Sequence, residues 1–299
     1  MLEVKHLTKR YDDLVAVDDL SFQVKPGEIF GLLGVNGAGK TTTFRMIVGI
    51  LEPDAGSVFL NQKKIDYSLT HTIGFLTEER SLFTKMTVLE QVMYFARLKG
   101  MKKDEVLREL DYWLEKLHIQ EYKNKQIKEL SKGNQQKIQF ICAVIHHPKL
   151  LILDEPFTGL DPFNVSVLMS ALKELAKSGT MIIFSSHRME HVEVFCDRLL
   201  ILVKGKCILE GSVKEIKEDY KKKKIHIIGD VKLKELKQIP GVESVEKQDQ
   251  EYVVRVSSGD IVKDVFQLVK KQDTLEKFMV EDVSLNEIFV SKVGEVLHE

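Results

Sequence analysis

Gly34-Val-Asn-Gly-Ala-Gly-Lys-Thr-Thr42 is the stretch that decides the fold of this 299-residue chain. It lies between an apolar run, 29–33, and a segment of helical character that begins at Thr43, so the order is strand, glycine-rich loop, helix. Glycines allow several backbone N–H groups to face one anion, and the helix N-terminus adds partial positive charge. This arrangement predicts a phosphate-binding loop. Its candidate nucleotide-binding residues are Gly34, Asn36, Gly37, Gly39, Lys40, Thr41 and Thr42.

A second, acidic site further along the chain indicates which chemistry the loop serves. The apolar run Leu150-Leu-Ile-Leu153 is typical of a strand buried on both faces of a parallel sheet, and it ends in Asp154-Glu155. Asp154 is placed to hold Mg²⁺ together with the Thr41 hydroxyl, while the Lys40 side chain reaches the β- and γ-phosphates. Glu155 can orient or deprotonate an attacking water. The alternative is an ordinary strand-to-loop junction, which the upstream loop disfavours.

The composition excludes several classes of protein. With 44 Lys and Arg against 45 Asp and Glu, the net charge is −1, so nothing overall basic points to nucleic acid. The 3 cysteines form no Cys-x-x-Cys pair, which indicates a reducing compartment. No apolar run approaches the roughly 18 residues that would span a bilayer, and no signal pattern begins the chain. Any membrane role is therefore expected to be peripheral.

The hydrophobic periodicity divides the chain into two expected domains. We predict a nucleotide-binding domain over 1–215 with a helical subdomain at about 80–148, a lysine-rich linker at 216–224 and an accessory domain over 225–299. The accessory domain shows the order strand, helix, strand, strand, helix, strand, which is ferredoxin-like, and a final amphipathic helix follows from Leu285 to about Leu297. Its role is left open between a stabilising appendage, a dimer contact and a regulatory module.

Six features together give the chain its resemblance to ABC-type ATPase subunits. Gly34 to Thr41 matches Walker A and Leu150 to Glu155 matches Walker B, while Leu130-Ser-Lys-Gly-Asn134 resembles the family signature. Gly159-Leu-Asp161 resembles the D-loop, and His187 the switch histidine. The aromatic residue Tyr11 stands where the family stacks a ring on adenine. The signature shortly before Walker B is specific to this family.

The resemblance implies a fold, a reaction and partners. The implied fold is α/β: a P-loop NTPase sheet core with an antiparallel β subdomain and an α-helical subdomain, here followed by the small α+β domain. The implied enzyme is an ATPase using ATP and Mg²⁺, whose subunits dimerise head to tail around two ATP molecules. Ser131 and Gly133 would then bind the γ-phosphate held by the partner's loop, because an N-capping hydroxyl and a helix N-terminus form a second anion site. His187 would contact that phosphate, and Asp161 would cross the interface.

The chain departs from the family pattern in two places, the signature and the residue at 78. The signature has Lys132 and Asn134 where glycine and glutamine are usual, and Glu78 stands where the family usually has a glutamine that contacts Mg²⁺. Glu78 can still offer a carboxylate oxygen, so Thr41, Glu78 and Asp154 are the candidate metal ligands. Over nearly the whole chain, segments including Glu78-Glu-Arg80 and Ser185-Ser-His-Arg-Met-Glu190 are similar to ATPase subunits of sodium-efflux (Nat-type) bacterial exporters.

We therefore expect an ATPase subunit of a bacterial ABC exporter that lies in the cytoplasm, peripheral on the inner face of the cell membrane. Its expected partners are a separate transmembrane permease and a second ATPase subunit, with no nucleic acid. By the same analogy, the surface following Glu78 to Met86 is the expected docking region. The alternative function is a soluble ABC ATPase that acts as a switch on nucleic acid or ribosomes, which the near-neutral charge and the single ATPase unit disfavour.

Overall fold

A computed structural model describes residues 1–79, 81–229, 231–271 and 274–297 of the chain. It divides into two compact units, Met1–Gly211 and Ser212–Glu299. The boundary thus falls between Gly211 and Ser212 rather than after residue 215.

The first unit contains ten strands and six helices among its described residues, with short 3₁₀ turns between some of them. The strands are β1 (Leu2–Tyr11), β2 (Leu14–Val24), β3 (Ile29–Gly34), β4 (Ala55–Leu60), β5 (Lys63–Lys64), β6 (Ile73–Leu76), β7 (Leu150–Leu153), β8 (Met181–Phe184), β9 (Arg198–Val203) and β10 (Lys206–Ser212). The helices are α1 (Lys40–Ile47), α2 (Val88–Leu98), α3 (Lys103–Lys116), α4 (Lys132–Val144), α5 (Pro162–Lys177) and α6 (Met189–Phe195).

A six-stranded sheet forms the centre of this unit in the order β10-β9-β3-β8-β7-β6. From β9 to β6 every neighbouring pair is parallel. All residues of β3, β7 and β8 are buried, as is typical of parallel strands that are covered on both faces. The carboxyl ends of these strands meet at one edge, where ligands bind in open α/β sheets.

An antiparallel sheet of order β2-β1-β4-β5 lies in the same unit. Its inward side chains share one hydrophobic core with those of the parallel sheet, including Leu2, Phe22 and Phe30. Phe22 and Phe30 stack with ring centroids 5.1 Å apart. The predicted antiparallel subdomain is confirmed.

The region between β6 and β7 is helical, as the change of period predicted. The first residue of the predicted range 80–148, Arg80, lies outside the described residues. Thr87 caps α2 in a capping box with Glu90, and Ser131 caps α4 by accepting a hydrogen bond from the Asn134 N–H at 3.2 Å. Buried apolar side chains of α3 and α4 hold these helices together; they include Leu110, Trp113 and Phe140.

The second unit contains four strands and four helices among its described residues. They are α7 (Val213–Asp219), β11 (Lys223–Gly229), α8 (Leu233–Leu236), β12 (Val242–Gln248), β13 (Glu251–Val256), α9 (Ile261–Val269), β14 (Leu275–Asp282) and α10 (Leu285–Leu297). The sheet order β12-β13-β11-β14, with antiparallel neighbours, is the ferredoxin-like order that the sequence predicted.

Within the segment 216–224, expected as a linker, residues 216–219 belong to helix α7 and residues 223–224 begin strand β11, with 220–222 between them. Ser212 and Glu215 form a capping box that starts α7. Lys223 and Lys224 begin β11 and pair with acidic residues, Asp282 and Glu287, so the lysine run belongs to the folded unit. Charge alone suggested a solvated segment, but the cap and the cross-strand partners decide the structure.

Candidate active site

The glycine-rich loop runs from the end of β3 to the first turn of α1, as the sequence predicted. Gly39 adopts φ +106°, and a Cβ there would lie 2.3 Å from the Ala16 carbonyl oxygen. Gly37 adopts φ +77°, but a Cβ there would meet nothing within 4 Å. The glycine at 39 is therefore required by backbone conformation and close packing, whereas the glycine at 37 is required by conformation alone.

Lys40 lies at the base of this loop with only 8% of its surface exposed. Its Nζ donates hydrogen bonds to the carbonyl oxygens of Gly34, at 2.7 Å, and Val35, at 3.2 Å. Burial lowers the pKa of Lys40, and the nearby carboxylates of Glu155 and Asp154 oppose that shift. A buried ammonium that donates to two carbonyl oxygens is placed to bind an anion held in the loop.

Asp154 follows β7 and is held by two hydroxyl groups. The Thr41 Oγ1 donates to Asp154 Oδ2 at 3.0 Å, and the Ser185 Oγ donates to Asp154 Oδ1 at 2.6 Å. Thr41 stands in the first turn of α1 and Ser185 directly follows β8. The carboxylate is only 2% exposed, and these bonds fix its orientation toward the loop.

Glu155 lies beside Asp154 in an unusual backbone conformation, φ +51°. Its N–H donates to Ser185 Oγ at 3.0 Å, which helps to hold that conformation. Its Oε1 lies 3.3 Å from His187 Nε2, within ion-pair range but outside hydrogen-bond geometry, and that buried oxygen has no hydrogen-bond partner. Burial raises the pKa of Glu155, while the charge of His187 lowers it.

These groups line one cleft of about 590 Å³. The sequence-predicted residues that line it are Tyr11, Asn36, Gly37, Gly39, Lys40, Thr41, Thr42, Glu78, Asp154, Glu155 and His187. Gly34 takes part through its carbonyl, which accepts from Lys40. Tyr11 is 44% exposed at the end formed by β1 and β2, and Glu78 lies at the opposite side, after β6.

The other predicted residues, Ser131, Gly133 and Asp161, are absent from the described lining of the cleft. Ser131 is exposed at the start of α4, and a Cβ on Gly133 would lie 3.1 Å from the Gly159 carbonyl oxygen. Asp161 caps α5 by accepting from the Asn164 N–H at 2.9 Å. The signature segment and the D-loop therefore lie against each other, away from the loop of their own chain.

Sequence reasoning missed three residues. Ser185 was identified only as the residue after a strand, although it contacts both acidic residues of the cleft. Lys204 lines the cleft beside Leu14 and Val15, from the turn between β9 and β10. Gln139 of α4 donates to the carbonyl oxygens of Thr77, at 2.9 Å, and Glu79, at 3.2 Å, so it ties the signature helix to the loop that carries Glu78. The sequence offered one signal, a polar residue at the end of a fully apolar strand, and that signal applies to Ser185.

Comparison with known proteins decides the family. The chain is 48% identical over 296 residues, or 99% of both chains, to an uncharacterised ABC transporter ATP-binding protein, YhaQ of Bacillus subtilis. The chain is an ABC transporter ATP-binding protein. Residues 17–158 match the family described as ABC transporter, and residues 211–293 match the C-terminal domain of DrrA1-3-like ATP-binding proteins.

More distant relatives agree with this family. This ABC protein is 36% identical over 220 residues to a Nod factor export ATP-binding protein of Burkholderia thailandensis, covering 73% of this chain and 72% of the relative. Among solved structures, an ATP-binding subunit of an ABC transporter matches with a TM-score of 0.69 and 31% identity, over 74% of this chain and 93% of that one. As a member of the family, the protein binds ATP and is an ATPase.

The cleft of this ABC ATPase fits ATP and a hard cation. The buried Lys40 ammonium and the open face of the loop suit phosphate, and the exposed ring of Tyr11 suits a base. Thr41, Glu78 and Asp154 offer oxygen atoms around one region of the cleft, and oxygen is the ligand that Mg²⁺ prefers. Among the described helices, none has the length and apolar character needed to cross a membrane.

Proposed function

We propose that this ABC ATPase drives export through a separate transmembrane subunit. One relative is named as an export ATP-binding protein, and its similarity over most of the first unit supports outward transport. Attachment would be peripheral, at the cytoplasmic face of the membrane, with no nucleic acid as partner.

The geometry supports a division of roles within the cleft. The loop glycines, Asn36 and Lys40 hold the phosphates of ATP, and Thr42 helps to orient them. Tyr11 stacks on the base. Thr41, Glu78 and Asp154 are the proposed Mg²⁺ ligands. When bound, ATP would supply the phosphoanhydride bond that is hydrolysed, and Mg²⁺ would neutralise negative charge on its phosphates.

Glu155 is the proposed general base. Burial raises its pKa, which is the direction a base at neutral pH requires, while the bond from its N–H to Ser185 helps to hold the backbone conformation from which the side chain extends. His187 lies 3.3 Å from Glu155 and would contact the γ-phosphate from the same side. These two residues would orient the attacking water and accept its proton.

The ATPase is proposed to work as a head-to-tail dimer. The single observation that carries this proposal is that the two phosphate-binding halves of one chain lie apart. Ser131 caps the exposed start of α4, a helix of 13 residues, but is absent from the described lining of the cleft. An N-terminus with an unoccupied first turn attracts an anion. Two copies placed head to tail would bring the Ser131 and Gly133 of each to the loop of the other, with Asp161 crossing between them.

The experiment that tests this proposal is light scattering on the Glu155→Gln variant, with and without Mg²⁺-ATP, at a protein concentration low enough that the chain is monomeric without nucleotide. Blocking hydrolysis should trap a dimer that forms only with nucleotide. The double variant Glu155→Gln with Ser131→Arg should bind ATP but stay monomeric, because the arginine blocks the second phosphate site. An Asn164→Ala control, which removes the partner of Asp161 only within one chain, should still dimerise. A Glu155→Gln protein that binds ATP and remains monomeric would overturn the head-to-tail arrangement.

Docking to the membrane subunit is proposed at the helical region next to Glu78. Phe83 and Tyr94 are 48% and 45% exposed and pack edge to face with centroids 5.7 Å apart, which leaves an apolar surface beside the loop that reaches the cleft. Tyr94→Glu should abolish transport in vesicles and spare basal ATPase activity, whereas Tyr112→Glu, equally exposed on α3, should leave both intact. Normal transport by the Tyr94 variant would refute this docking surface.

A further inference from the structure

The outer edge of β14 is the least protected edge of the second unit. β14 (Leu275–Asp282) is the terminal strand of its sheet and pairs with β11 on one side; in the described part of the chain no strand pairs with the other side. Met279 and Val280, near its centre, are 41% and 43% exposed. Exposed backbone groups with apolar side chains on an edge strand form a template for another strand.

The opposite edge of the same sheet lacks this character. β12 (Val242–Gln248) ends in Glu246, Lys247 and Gln248, all exposed, and none of its residues is a large exposed hydrophobic side chain. β14 also carries charged residues, Glu276, Lys277, Glu281 and Asp282, so the two edges differ in the exposed apolar side chains at the centre and not in their charge. The apolar centre is therefore specific to β14.

Alternation along β14 separates its side chains into two sets. Lys277, Met279 and Glu281 share one face of the sheet, while Phe278 and Val280 share the other. On the second face Phe266 of α9, 41% exposed, packs on Phe278 with centroids 5.0 Å apart, which widens the apolar surface.

On the face that carries Met279, the two charged residues of β14 can pair with the same two residues of a second copy. Lys277 stands two residues before Met279 and Glu281 two residues after it. In an antiparallel pair related by a two-fold axis through Met279, each Lys277 lies directly opposite the other copy's Glu281. Both side chains are available, at 40% and 56% exposure, although each also pairs within its own chain. Opposite charges in directly facing positions stabilise an antiparallel pair.

We propose that β14 pairs with β14 of a second copy of this chain about that axis, which joins two four-stranded sheets into one. The pair is isologous, as two-fold interfaces require. On the other face the same register sets Phe278 against Val280 of the other copy. It also sets Glu276 directly opposite Asp282, and the ion pair of Asp282 with Lys223 offsets the repulsion between these two carboxylates.

Neighbouring registers are less favourable. A two-fold axis perpendicular to the sheet must keep each side chain on its own face of the sheet. The axis can therefore pass only through a residue of β14, and neighbouring registers move it along the strand one residue at a time. Moving the axis to Phe278 places Lys277 opposite Met279 and Glu276 opposite Val280. Moving it to Val280 places Met279 opposite Glu281. Of these three registers, only the axis through Met279 sets Lys277 opposite Glu281 and Phe278 opposite Val280.

This interface differs from the ATP-driven one proposed above, because it requires no nucleotide and uses the second unit. A constant link between second units would raise the effective concentration of the two ATPase units toward each other. The two interfaces can fail separately, so the test is made on the full chain without nucleotide.

The decisive test mixes two charge-reversal variants. Lys277→Glu alone sets glutamate against Glu281 at both ends of the pair, and Glu281→Lys alone sets lysine against Lys277, so each should be monomeric by light scattering at concentrations where wild type is dimeric. A one-to-one mixture should form a heterodimer, because both facing pairs then become glutamate with lysine. The contacts that each substitution breaks within its own chain stay broken in the mixture, so recovery reports the interface and not the fold.

Disulfide trapping tests the register independently. In a Cys207→Ser background, which removes the exposed native thiol, Met279→Cys should cross-link the two copies on mild oxidation. Facing residues have Cβ atoms about 5 Å apart, whereas the two Val280 positions are diagonal, at about 7–8 Å, so Val280→Cys should cross-link poorly despite equal exposure. A wild-type chain that is monomeric without nucleotide up to its highest soluble concentration, a mixture that stays monomeric, or equal cross-linking of the two variants would overturn the proposal; the first result would leave this edge to a strand of a different protein.

Discussion

Ser185→Ala is the substitution that tests the described site most directly. The Ser185 hydroxyl donates to the buried carboxylate of Asp154 at 2.6 Å and accepts from the Glu155 N–H at 3.0 Å, and the side chain is fully buried. Alanine removes both bonds and leaves a buried carboxylate oxygen and a backbone N–H unpaired. A hydrogen bond to a charged group is worth about 1.5–3 kcal/mol and a neutral one about 1 kcal/mol.

The expected loss of unfolding free energy is therefore about 2–4 kcal/mol in the absence of nucleotide. The single tryptophan, Trp113, is 2% exposed in the first unit, so its fluorescence during urea titration reports the unfolding of that unit. We also expect steady-state ATP hydrolysis to fall about tenfold or more, equivalent to about 1.4 kcal/mol, because both acidic residues lose their support.

Ser186→Ala is the matched control. Ser186 is also buried, but its Oγ only accepts from the Arg188 N–H, at 3.1 Å, so its removal should cost about 1 kcal/mol. If Ser185→Ala loses no more stability than the control, or hydrolyses ATP at the wild-type rate, Ser185 does not hold the acidic pair.

Three further outcomes follow from single residues. Gly39→Ala should abolish binding of a fluorescent ATP analogue, because the added Cβ would lie 2.3 Å from Ala16 O; Gly179→Ala, with similar φ of +99° and no neighbour within 4 Å, should bind normally. Burial lowers the pKa of His146 to about 4 in the folded chain, whereas its pKa in the unfolded chain is about 6.5. As the pH falls, the unfolded chain therefore takes up this proton first. Stability should therefore fall by about 3 kcal/mol from this residue as the pH drops from about 6.5 to 4, and His146→Gln should remove that part of the urea-measured pH dependence. Glu78→Gln should retain ATPase activity, since the amide keeps an oxygen for the cation; a folded variant that binds ATP and is inactive would contradict this.

Much of the fold could be predicted because its signals are local. The apolar runs at Leu150–Leu153 and Met181–Phe184 are strands with those bounds, since nothing but a doubly covered strand suits so short a continuous apolar segment. The cap at Ser131 was equally visible, because hydroxyl side chains stabilise helix starts by bonds within three residues.

The remaining features depend on contacts between distant segments. Leu153 pairs with Phe184 across β7 and β8, and only this register places Ser185 beside Asp154. The positive φ of Glu155 is likewise invisible in the sequence, since the left-handed region is rare for glutamate and is stabilised here from another strand.

One hydroxyl after β8 connects the proposed metal ligand with the proposed base. Thr41 holds one oxygen of Asp154 from α1, while Ser185 holds the other oxygen and also the backbone of Glu155. His187 follows Ser185 by two residues, so a displacement of the end of β8 would move the carboxylate, the base and the histidine together. Removing Glu155 would stop hydrolysis under any mechanism that needs a base, whereas removing Ser185 leaves every reacting group in place. A large effect of Ser185→Ala would therefore show that the arrangement of these groups, and not only their presence, sets the rate.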